Sequence, residues 1–277
     1  MAEQLWQTAN RANWDERVGV HLGPRGYDLT GLLDGRGRLD PVAEAELPPV
    51  LGKRVLHLQC HFGKDTLTLA QRGAEVVGLD FSEPAVAAAR DLTTRLGLSA
   101  QARFVQADLY DAPAAVADPA GFDLVFVTWG ALGWLPDIRR WAEIVAGFIK
   151  PGGAVYLAEG HPAALVHDDE APQASGHPGF WLPYFHTGPL VFNQSTDYAD
   201  PTACLTNSTT YEWIHPLGDV VTALLTAGLR LDWLHEHDAV TWQMFKCLVR
   251  GPDRLFRWPD KPWLPLSYSL LATRPAG

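Results

Sequence analysis

The sequence predicts an α/β fold in which a mostly parallel sheet carries helices on both faces. Residues 52–160 alternate between short apolar runs and helical patterns, and the same alternation resumes near residue 217. Strands separated by helical crossovers run parallel to one another, and the helices then cover both sides of the sheet. We therefore expect a Rossmann-like, doubly wound architecture.

Apolar runs in the first stretch are predicted to be five strands, at residues 54–60, 74–80, 102–108, 122–129 and 154–160. Helical patterns lie between them. The segment 65–73 ends in a glycine that suits a left-handed cap, Ser82 can cap the next helix, and Gly97 closes it. A later helix has one apolar face and is broken by "KPGG" before the fifth strand; the face consists of Ile138, Trp141, Val145, Phe148 and Ile149.

Changes in composition divide the chain into an N-terminal arm or lid (1–45), a Rossmann-like core (46–160), an inserted cap (161–216) and the C-terminal part of the core (217–277). The arm is rich in glycine and arginine and shows little periodicity. Many Pro, Gly, His and aromatic residues mark the cap, in which we expect a hairpin over 190–199 and 204–214. The last part contains one helical pattern and two predicted strands, 229–238 and 266–275.

The overall composition excludes several classes of protein. With 47% hydrophobic and 19% charged residues the chain is globular. No apolar run approaches the roughly 20 residues that span a membrane, and the first residues are neither basic nor hydrophobic, so we expect a soluble, cytoplasmic protein with no membrane partner. The net charge of −10 would repel a phosphate backbone, which argues against nucleic acid. Three scattered cysteines indicate reduced thiols.

Polar residues follow the predicted strands at the edge where ligands bind in an open parallel sheet. Asp80 ends the second strand and lies 17 residues after Gly63, close to the spacing at which an acid meets ribose hydroxyls in nucleotide-binding α/β folds. A carboxylate there can accept two hydroxyl hydrogen bonds. The alternative is that Asp80 only caps the next helix, although Ser82 is better placed for that role.

Four features together resemble a class I S-adenosylmethionine-dependent methyltransferase: Asp80, Asp108, the strand "FDLVFVTW", and "KPGG" before the fifth strand. The resemblance covers residues 52–160, and the final helix with two strands agrees with that family's seven-stranded sheet and antiparallel last strand. It implies S-adenosylmethionine as the cofactor. The loop after the first strand would approach the amino-acid end and the ribose, Asp80 would bind the ribose diol, and Asp108 with Leu109 would lie beside the adenine.

The loop after the first strand, within "VLHLQCHFGKDT" (55–66), departs from this family. Members carry an acidic residue at the position of His57 and glycines at the positions of Gln59 and His61, and here only Gly63 remains. Side chains at 59 and 61 add donors and acceptors that suit a cofactor bearing both an ammonium and a carboxylate. They also require ordinary backbone angles, so the turn must avoid positive φ at both positions or accept strain.

A metal site built on His57, Cys60 and His61 is the alternative for this loop. Side chains alternate along a strand, so His57 and Cys60 point to opposite faces, and no metal site is predicted. Cys60 is expected to be a small core residue.

Trp14, with Asn13 and Arg17, is expected to belong to an arm that closes over the cofactor and excludes water. The full set of residues expected to contact the cofactor is His57, Gln59, His61, Gly63, Asp65, Thr66, Asp80, Phe81, Ser82, Asp108, Leu109, Thr128, Trp129 and Trp14.

Methyl transfer from a sulfonium needs alignment of donor and acceptor in a dry pocket, and a base if the acceptor is a hydroxyl or a protonated amine. His215, before the last long helix, and His161, after the fifth strand, are the candidate bases, with a structural hydrogen bond as the alternative for each. Eleven tryptophans, many outside the periodic segments, favour an apolar or aromatic pocket, unless they only fill gaps beneath loops.

The predicted function is therefore methyl transfer to oxygen or nitrogen of a small apolar or aromatic metabolite, the expected partner being a small-molecule substrate. Two alternatives stay open. An NAD(P)-dependent oxidoreductase could use Asp80 equally well, but the GxGxxG of such enzymes is missing after the first strand. A non-catalytic cofactor-binding protein could share the same fold.

Overall fold

The structure, a computed structural model, describes residues 4–169, 171 and 177–276. Residues 1–3 of the predicted arm and residues 170 and 172–176 of the predicted cap lie outside the described residues, as does residue 277. The strands are β1 (Arg54–Leu58), β2 (Glu75–Asp80), β3 (Ala102–Gln106), β4 (Phe122–Thr128), β5 (Ile149–Gly160), β6 (His167–Asp168), β7 (Gly179–Phe180), β8 (Leu190–Asn193), β9 (Thr209–Glu212), β10 (Arg230–His237), β11 (Ala239–Val240), β12 (Val249–Arg250), β13 (Phe256–Arg257) and β14 (Ser267–Thr273). The helices are α1 (Leu5–His21), α2 (Thr30–Leu33), α3 (Pro41–Glu46), α4 (Lys64–Gln71), α5 (Glu83–Arg95), α6 (Ala112–Ala115), α7 (Ile138–Phe148), α8 (Pro162–Leu165) and α9 (Leu217–Thr226).

Seven of these strands form one twisted sheet in the order β3-β2-β1-β4-β5-β14-β10. The first five run parallel, because each is followed by a crossover, while β14 pairs antiparallel with both β5 and β10. This arrangement confirms the predicted Rossmann-like fold with its antiparallel last strand. The strand order reverses between β1 and β4, so the carboxyl ends of β1, β2 and β4 surround the switch point where ligands bind in such sheets.

Two apolar layers hold the helices against the sheet. The side chains of α7 and α9 pack on one face around Trp141, which is completely buried. On the other face α4 and α5 contribute residues such as Leu67 and Val86, together with Phe62 from the loop after β1. Burial of these apolar surfaces on both faces fixes where each strand ends, and the strand ends carry the polar residues described below.

Helix α1 is the main difference from the sequence-based expectation, since residues 5–21 showed little apolar periodicity. The structure shows a helix at these residues. Its buried face is mostly polar and consists of Asn10, Asn13, Arg17, Val18 and His21. These positions follow helical spacing, so a search for polar residues at that spacing would have found the helix. The buried polar groups find partners in the predicted cap.

The hairpin expected in the cap forms between β8 and β9, which pair antiparallel with Leu190 opposite Glu212. It packs against α1 through Asn10, whose amide donates to the Tyr211 carbonyl and accepts from the Tyr211 N–H, both at 2.8 Å. The arm and the cap are therefore joined by hydrogen bonds, although they are far apart in sequence.

The fifth strand also differs in its start. Because α7 ends at Phe148 and the chain becomes extended at once, β5 begins at Ile149, before "KPGG" instead of after it. Close approach explains the glycine at 153, where a Cβ would lie 2.8 Å from the Phe122 carbonyl oxygen. Within the described ranges, no helix is both long and apolar enough to cross a membrane.

Gly78 on β2 has no room for a larger side chain, because the ring of Phe104, its neighbour on β3, lies directly over it. A Cβ at position 78 would lie 2.5 Å from Phe104 and 2.8 Å from the Cys60 sulfur. We expect Gly78→Ala to lower the free energy of unfolding by about 1–3 kcal/mol, measured by urea denaturation, since overpacking in a dense core forces strain. Adding Phe104→Leu should restore much of the loss.

The matched control is Gly147→Ala, because a Cβ there meets nothing within 4 Å and the residue lies in α7. That variant should gain up to about 1 kcal/mol from helix propensity. Equal destabilisation by both alanines would refute the packing explanation.

Candidate functional site

The loop that follows β1, residues 59–63 and called the first loop from here on, keeps the backbone of a glycine-rich turn without its glycines. The φ angles of Gln59, His61 and Gly63 are 56°, 50° and 79°, all in the left-handed region. The turn was expected either to avoid positive φ at positions 59 and 61 or to accept strain, and the structure shows positive φ at both. A non-glycine residue in that region costs roughly 1–2 kcal/mol, so the side chains at 59 and 61 must be retained for what they contact.

Gln59 extends from the first loop to the turn that follows β4. Its amide nitrogen donates to the Ala131 carbonyl at 2.8 Å. The amide oxygen, Oε1, is buried and accepts no hydrogen bond from any residue that the structure describes. A buried acceptor without a donor is unfavourable, so this oxygen is suited to a ligand that brings a donor.

Glu159 holds the turn after β4 in place and was not anticipated from the sequence. It is buried at the end of β5, and its carboxylate accepts from the backbone N–H groups of Gly130, Ala131 and Leu132 at 2.6–2.8 Å. Burial raises the pKa of Glu159, while these three hydrogen bonds oppose the rise. The signal was present in "AEGH", since Glu159 is an acid at the end of an apolar run, as Asp80 is.

Asp80 connects the ends of β1 and β2. Its Oδ2 accepts from the His61 N–H at 2.7 Å and its Oδ1 accepts from the Ser82 N–H at 3.0 Å. Burial raises the pKa of Asp80 to about 6, against those hydrogen bonds, and the charge of Asp15 on α1 adds to the rise. Each carboxylate oxygen still has a lone pair, so the group can also accept from ribose hydroxyls.

Asp108 takes the corresponding position after β3. Its Oδ1 accepts from the Tyr110 N–H at 2.9 Å and its Oδ2 accepts from the side chain of Gln7 on α1 at 3.1 Å. Leu109 beside it is buried. Helix α1 thus contacts Asp108 through Gln7, and the charge of its Asp15 acts on Asp80.

Trp14, on the same helix, lies over the first loop. Its ring meets His61 and Trp134 edge to face, with centroids 5.3 Å away in each case. The indole nitrogen is buried, and among the described residues it has no hydrogen-bond partner. Asn13 and Arg17 face the cap instead, where Asn13 donates to the Asn207 carbonyl.

Several predicted residues are placed away from the open edge. His57 and Thr66 are buried together, with Nδ1 of His57 2.8 Å from the Thr66 hydroxyl, and burial lowers the pKa of His57 to about 4. Ser82 is fully buried as the cap of α5, where its hydroxyl accepts from the Ala85 N–H. Asp65 accepts from Lys64 at the start of α4.

Four further residues were predicted to contact the cofactor: Phe81, Gly63, Thr128 and Trp129. Phe81 is half-buried just after β2, and Gly63 is the N-cap of α4, where a Cβ would lie 2.6 Å from the Phe104 ring. Thr128 is buried at the end of β4. Trp129 packs with Val42, Ala239 and Leu255.

The metal alternative receives no support from the geometry. Cys60 is buried in the core beside Gly78, and burial raises the pKa of its thiol. His57 bonds to Thr66 and His61 bonds to His21, so the three candidate ligands point to different partners. Across residues 4–169, 171 and 177–276, no group of three His, Cys, Asp or Glu side chains is arranged to hold a metal ion.

The two candidate bases make structural contacts at loop junctions. His215 donates from Nε2 to the Leu135 carbonyl at 2.8 Å, and burial lowers its pKa. His161 accepts from the Ala163 N–H as the cap of α8, and its Nε2 lies 3.0 Å from Glu236. These are the hydrogen bonds that the structural alternative anticipated, and a direct catalytic role stays a prediction for both.

The structure therefore brings one subset of the predicted residues together at the carboxyl edge: Gln59, His61, Gly63, Asp80, Phe81, Asp108 and Trp14. Residues that sequence reasoning missed are Gln7, His21, Glu159 and Asp197, which hold that subset in place. Gln7 and His21 lie on α1 and Asp197 lies in the cap, and neither segment has an apolar pattern that predicts these positions.

Comparison with known proteins finds a methyltransferase domain within the chain. Residues 55–153 match the family model of a methyltransferase domain. The chain is similar to demethylmenaquinone methyltransferase of Clavibacter sepedonicus, with 34% identity over 136 residues, 48% of this chain and 53% of that protein. It is similar to a ubiquinone biosynthesis O-methyltransferase of Azoarcus sp. (strain BH72), with 36% identity over 107 residues, 39% of this chain and 44% of that one.

A third relative is the 23S rRNA (uracil(1939)-C(5))-methyltransferase RlmD of Nitrosospira multiformis, 32% identical over 123 residues, which are 44% of this chain and 27% of the relative. The chain thus spans about half the length, or less, of these relatives. Among solved structures, an S-adenosylmethionine-dependent methyltransferase from Mesorhizobium loti superposes with a TM-score of 0.60 at 23% identity, covering 87% of this chain and all of that one. That likeness shows the fold.

Residues 55–153 therefore match a methyltransferase domain. This match agrees with the predicted enzyme class, and the curated relatives are named as methyltransferases.

Gln59→Gly tests whether the side chain at position 59 is needed for the stability of the fold without ligand. The substitution removes one hydrogen bond, worth about 1 kcal/mol, and relieves a left-handed residue, worth about as much. We therefore expect the free energy of unfolding, from urea denaturation without ligand, to change by less than about 1 kcal/mol. A loss of several kcal/mol would mean that Gln59 is a structural anchor.

Proposed function

We propose that this chain transfers a methyl group from S-adenosylmethionine to oxygen or nitrogen of a small apolar or aromatic metabolite in the cytoplasm. The observation that carries the proposal is the convergence of Gln59, Asp80 and Asp108 at the carboxyl ends of three strands, beneath Trp14. When bound, the cofactor supplies an electrophilic methyl group on a sulfonium. The chain must bind and align donor and acceptor and exclude water, and it must accept the proton if the acceptor is a hydroxyl or a protonated amine.

Unsatisfied polar atoms near the first loop fit the amino-acid end of that cofactor. Gln59 Oε1 is an acceptor without a donor, and the Trp14 indole nitrogen is a donor without an acceptor, within the part of the chain that the structure describes. An α-amino acid group carries both an ammonium and a carboxylate, so it can satisfy one of each. In this proposal Asp80 accepts from the ribose diol, and Asp108 and Leu109 border the adenine.

Aromatic side chains support an apolar or aromatic methyl acceptor. Trp14 meets Trp134, and Trp6 meets Trp213 edge to face at 5.4 Å, so rings from α1, the turn after β4 and the cap lie near the strand ends. Two relatives are named for demethylmenaquinone and for ubiquinone biosynthesis. RNA, the substrate in the name of the third relative, is disfavoured here by the net charge of −10. The oxidoreductase alternative is not favoured by any of the relatives.

Thermal-shift measurements with S-adenosylmethionine, S-adenosylhomocysteine, NAD and NADP test the proposed cofactor. We expect the first two to raise the melting temperature and the nicotinamides to leave it unchanged, because binding to the folded state alone stabilises it. Stabilisation by the nicotinamides alone would overturn the proposal.

Asp80→Ala tests where the ribose binds. The variant should lose most of the shift that S-adenosylhomocysteine produces, because two charge-assisted hydrogen bonds disappear. The control is Asp91→Ala, an exposed acid on α5 that pairs only loosely with Arg95 at 3.6 Å, and it should retain the full shift. An unchanged shift in Asp80→Ala would place the ribose elsewhere.

A further inference from the structure

One hydrogen bond joins helix α1 to the acid that follows β3. Nε2 of Gln7 donates to Oδ2 of Asp108 at 3.1 Å, although the two residues are 101 positions apart in the sequence. Asp108 is the acid beside which the proposed function places the adenine. The bond therefore connects the N-terminal arm with the part of the site that would recognise the base.

The orientation of the Gln7 amide is fixed by its other contact. Its Oε1 accepts from the Gln4 backbone N–H at 3.0 Å, at the start of α1. A backbone N–H only donates and an ionised carboxylate only accepts, so the amide oxygen faces Gln4 and the amide nitrogen faces Asp108. Exchanging the two amide atoms would break both bonds. Gln7 is therefore a donor to Asp108.

The first turn of α1 has a second attachment that does not involve Asp108. The Trp6 indole nitrogen donates to Oε1 of Gln4 at 2.8 Å, and the Trp6 ring packs edge to face on Trp213 in the cap at 5.4 Å. This turn is thus held against the cap by its own contacts. It presents Gln7 to Asp108, and the bond to Asp108 is not needed to dock the helix.

The Asp108 carboxylate is held at both of its oxygens. Oδ1 accepts from the Tyr110 N–H at 2.9 Å and Oδ2 accepts from Gln7. With the Tyr110 bond alone the group could rotate about its Cβ–Cγ bond, whereas two donors from different segments fix its plane. An ionised carboxylate offers about four acceptor positions, so these two bonds leave room for a donor from a ligand.

A fixed acceptor can distinguish purines by the group at their position 6. The 6-amino group of adenine donates a hydrogen bond, whereas the carbonyl oxygen of a 6-oxo purine accepts and is repelled by a carboxylate. A site built to accept from an N–H group rejects an analogue that lacks it, because the acceptor is then left unpaired. A carboxylate that is free to turn away loses part of this selectivity.

We propose that Gln7 is a positioning residue that holds the Asp108 carboxylate in the orientation that selects a 6-amino purine. The inference rests on the proposed function. Gln7 acts through Asp108, so the arm contributes to recognition of the base as well as to covering the site. The residue belongs to α1, which lies outside the matched methyltransferase domain.

The opposite role for Gln7 would be competition with the base. If its amide only filled the place of the 6-amino group until the ligand arrived, removing it would tighten binding of the cofactor. Joint binding is favoured because the amide is anchored at Gln4 and because the bonds from Tyr110 and Gln7 leave acceptor positions on Asp108. The two roles therefore predict changes of opposite sign.

Calorimetric titration with S-adenosylhomocysteine and S-inosylhomocysteine, which has a carbonyl in place of the 6-amino group, tests the proposal. The protein without substitutions should prefer the first probe; if the second is too weak to titrate, its displacement of the first gives its affinity. In Gln7→Met, binding of the first probe should weaken about 10-fold and binding of the second less than about twofold, since only the first uses the fixed acceptor. The preference should fall accordingly.

Gln7→Glu separates this effect from the stability of the helix start. Glutamate keeps an acceptor for the Gln4 N–H but places a carboxylate against Asp108 in place of a donor. Its preference for S-adenosylhomocysteine should fall as in Gln7→Met. The control is Thr8→Met, which introduces the same side chain at the next, exposed position of α1 and should leave both affinities unchanged.

The outcomes distinguish the two proposals. If the protein without substitutions binds neither probe, the proposed function fails. If it binds S-adenosylhomocysteine, the inference about Gln7 alone fails in any of four cases: it shows no preference between the probes, Gln7→Met leaves the preference unchanged, Gln7→Met tightens binding of S-adenosylhomocysteine, or Gln7→Glu keeps the preference that Gln7→Met loses.

Discussion

The hydrogen bond from the His61 N–H to Asp80 is the interaction on which the rest of the site depends. It fixes the first loop in a left-handed conformation at a residue that has a side chain, and it directs that side chain away from β2 toward α1. Once the ring of His61 is so placed, it meets His21 and Trp14, and through His21 it reaches Asp197 in the cap. A glycine in this position would keep the backbone bond and lose every connection beyond it.

A second buried acid, Glu159, supports the part of the site around Gln59. Glu159 accepts three backbone N–H groups of the turn after β4, and that turn presents the Ala131 carbonyl to Gln59. Two buried carboxylates at the ends of β2 and β5 thus support the two strained residues of one loop. Both acids are destabilised by burial and stabilised by backbone donors, a combination that keeps their geometry rigid.

Much of the fold could be read from the sequence, because burial on both faces of the sheet leaves apolar runs and periodic helices. The strand ends followed from those runs, and with them Asp80 and Asp108. Contacts between polar residues that are far apart in the sequence could not be predicted. Asn10, Arg17 and His21 form a buried polar face, so they carry no apolar signal, and Asp197 lies in an irregular segment. Backbone angles at Gln59 and His61 were also undecided, since either outcome was compatible with the residues.

The contact between α1 and the hairpin has a consequence for association of this protein with other chains. The outer edge of β9 would expose the N–H and C=O of Tyr211 to any passing strand. Asn10 occupies both with a single amide, in the manner of a neighbouring strand one residue long. A helix side chain therefore occupies the sheet edge at Tyr211, which hinders edge-to-edge pairing at that point at the cost of one buried asparagine.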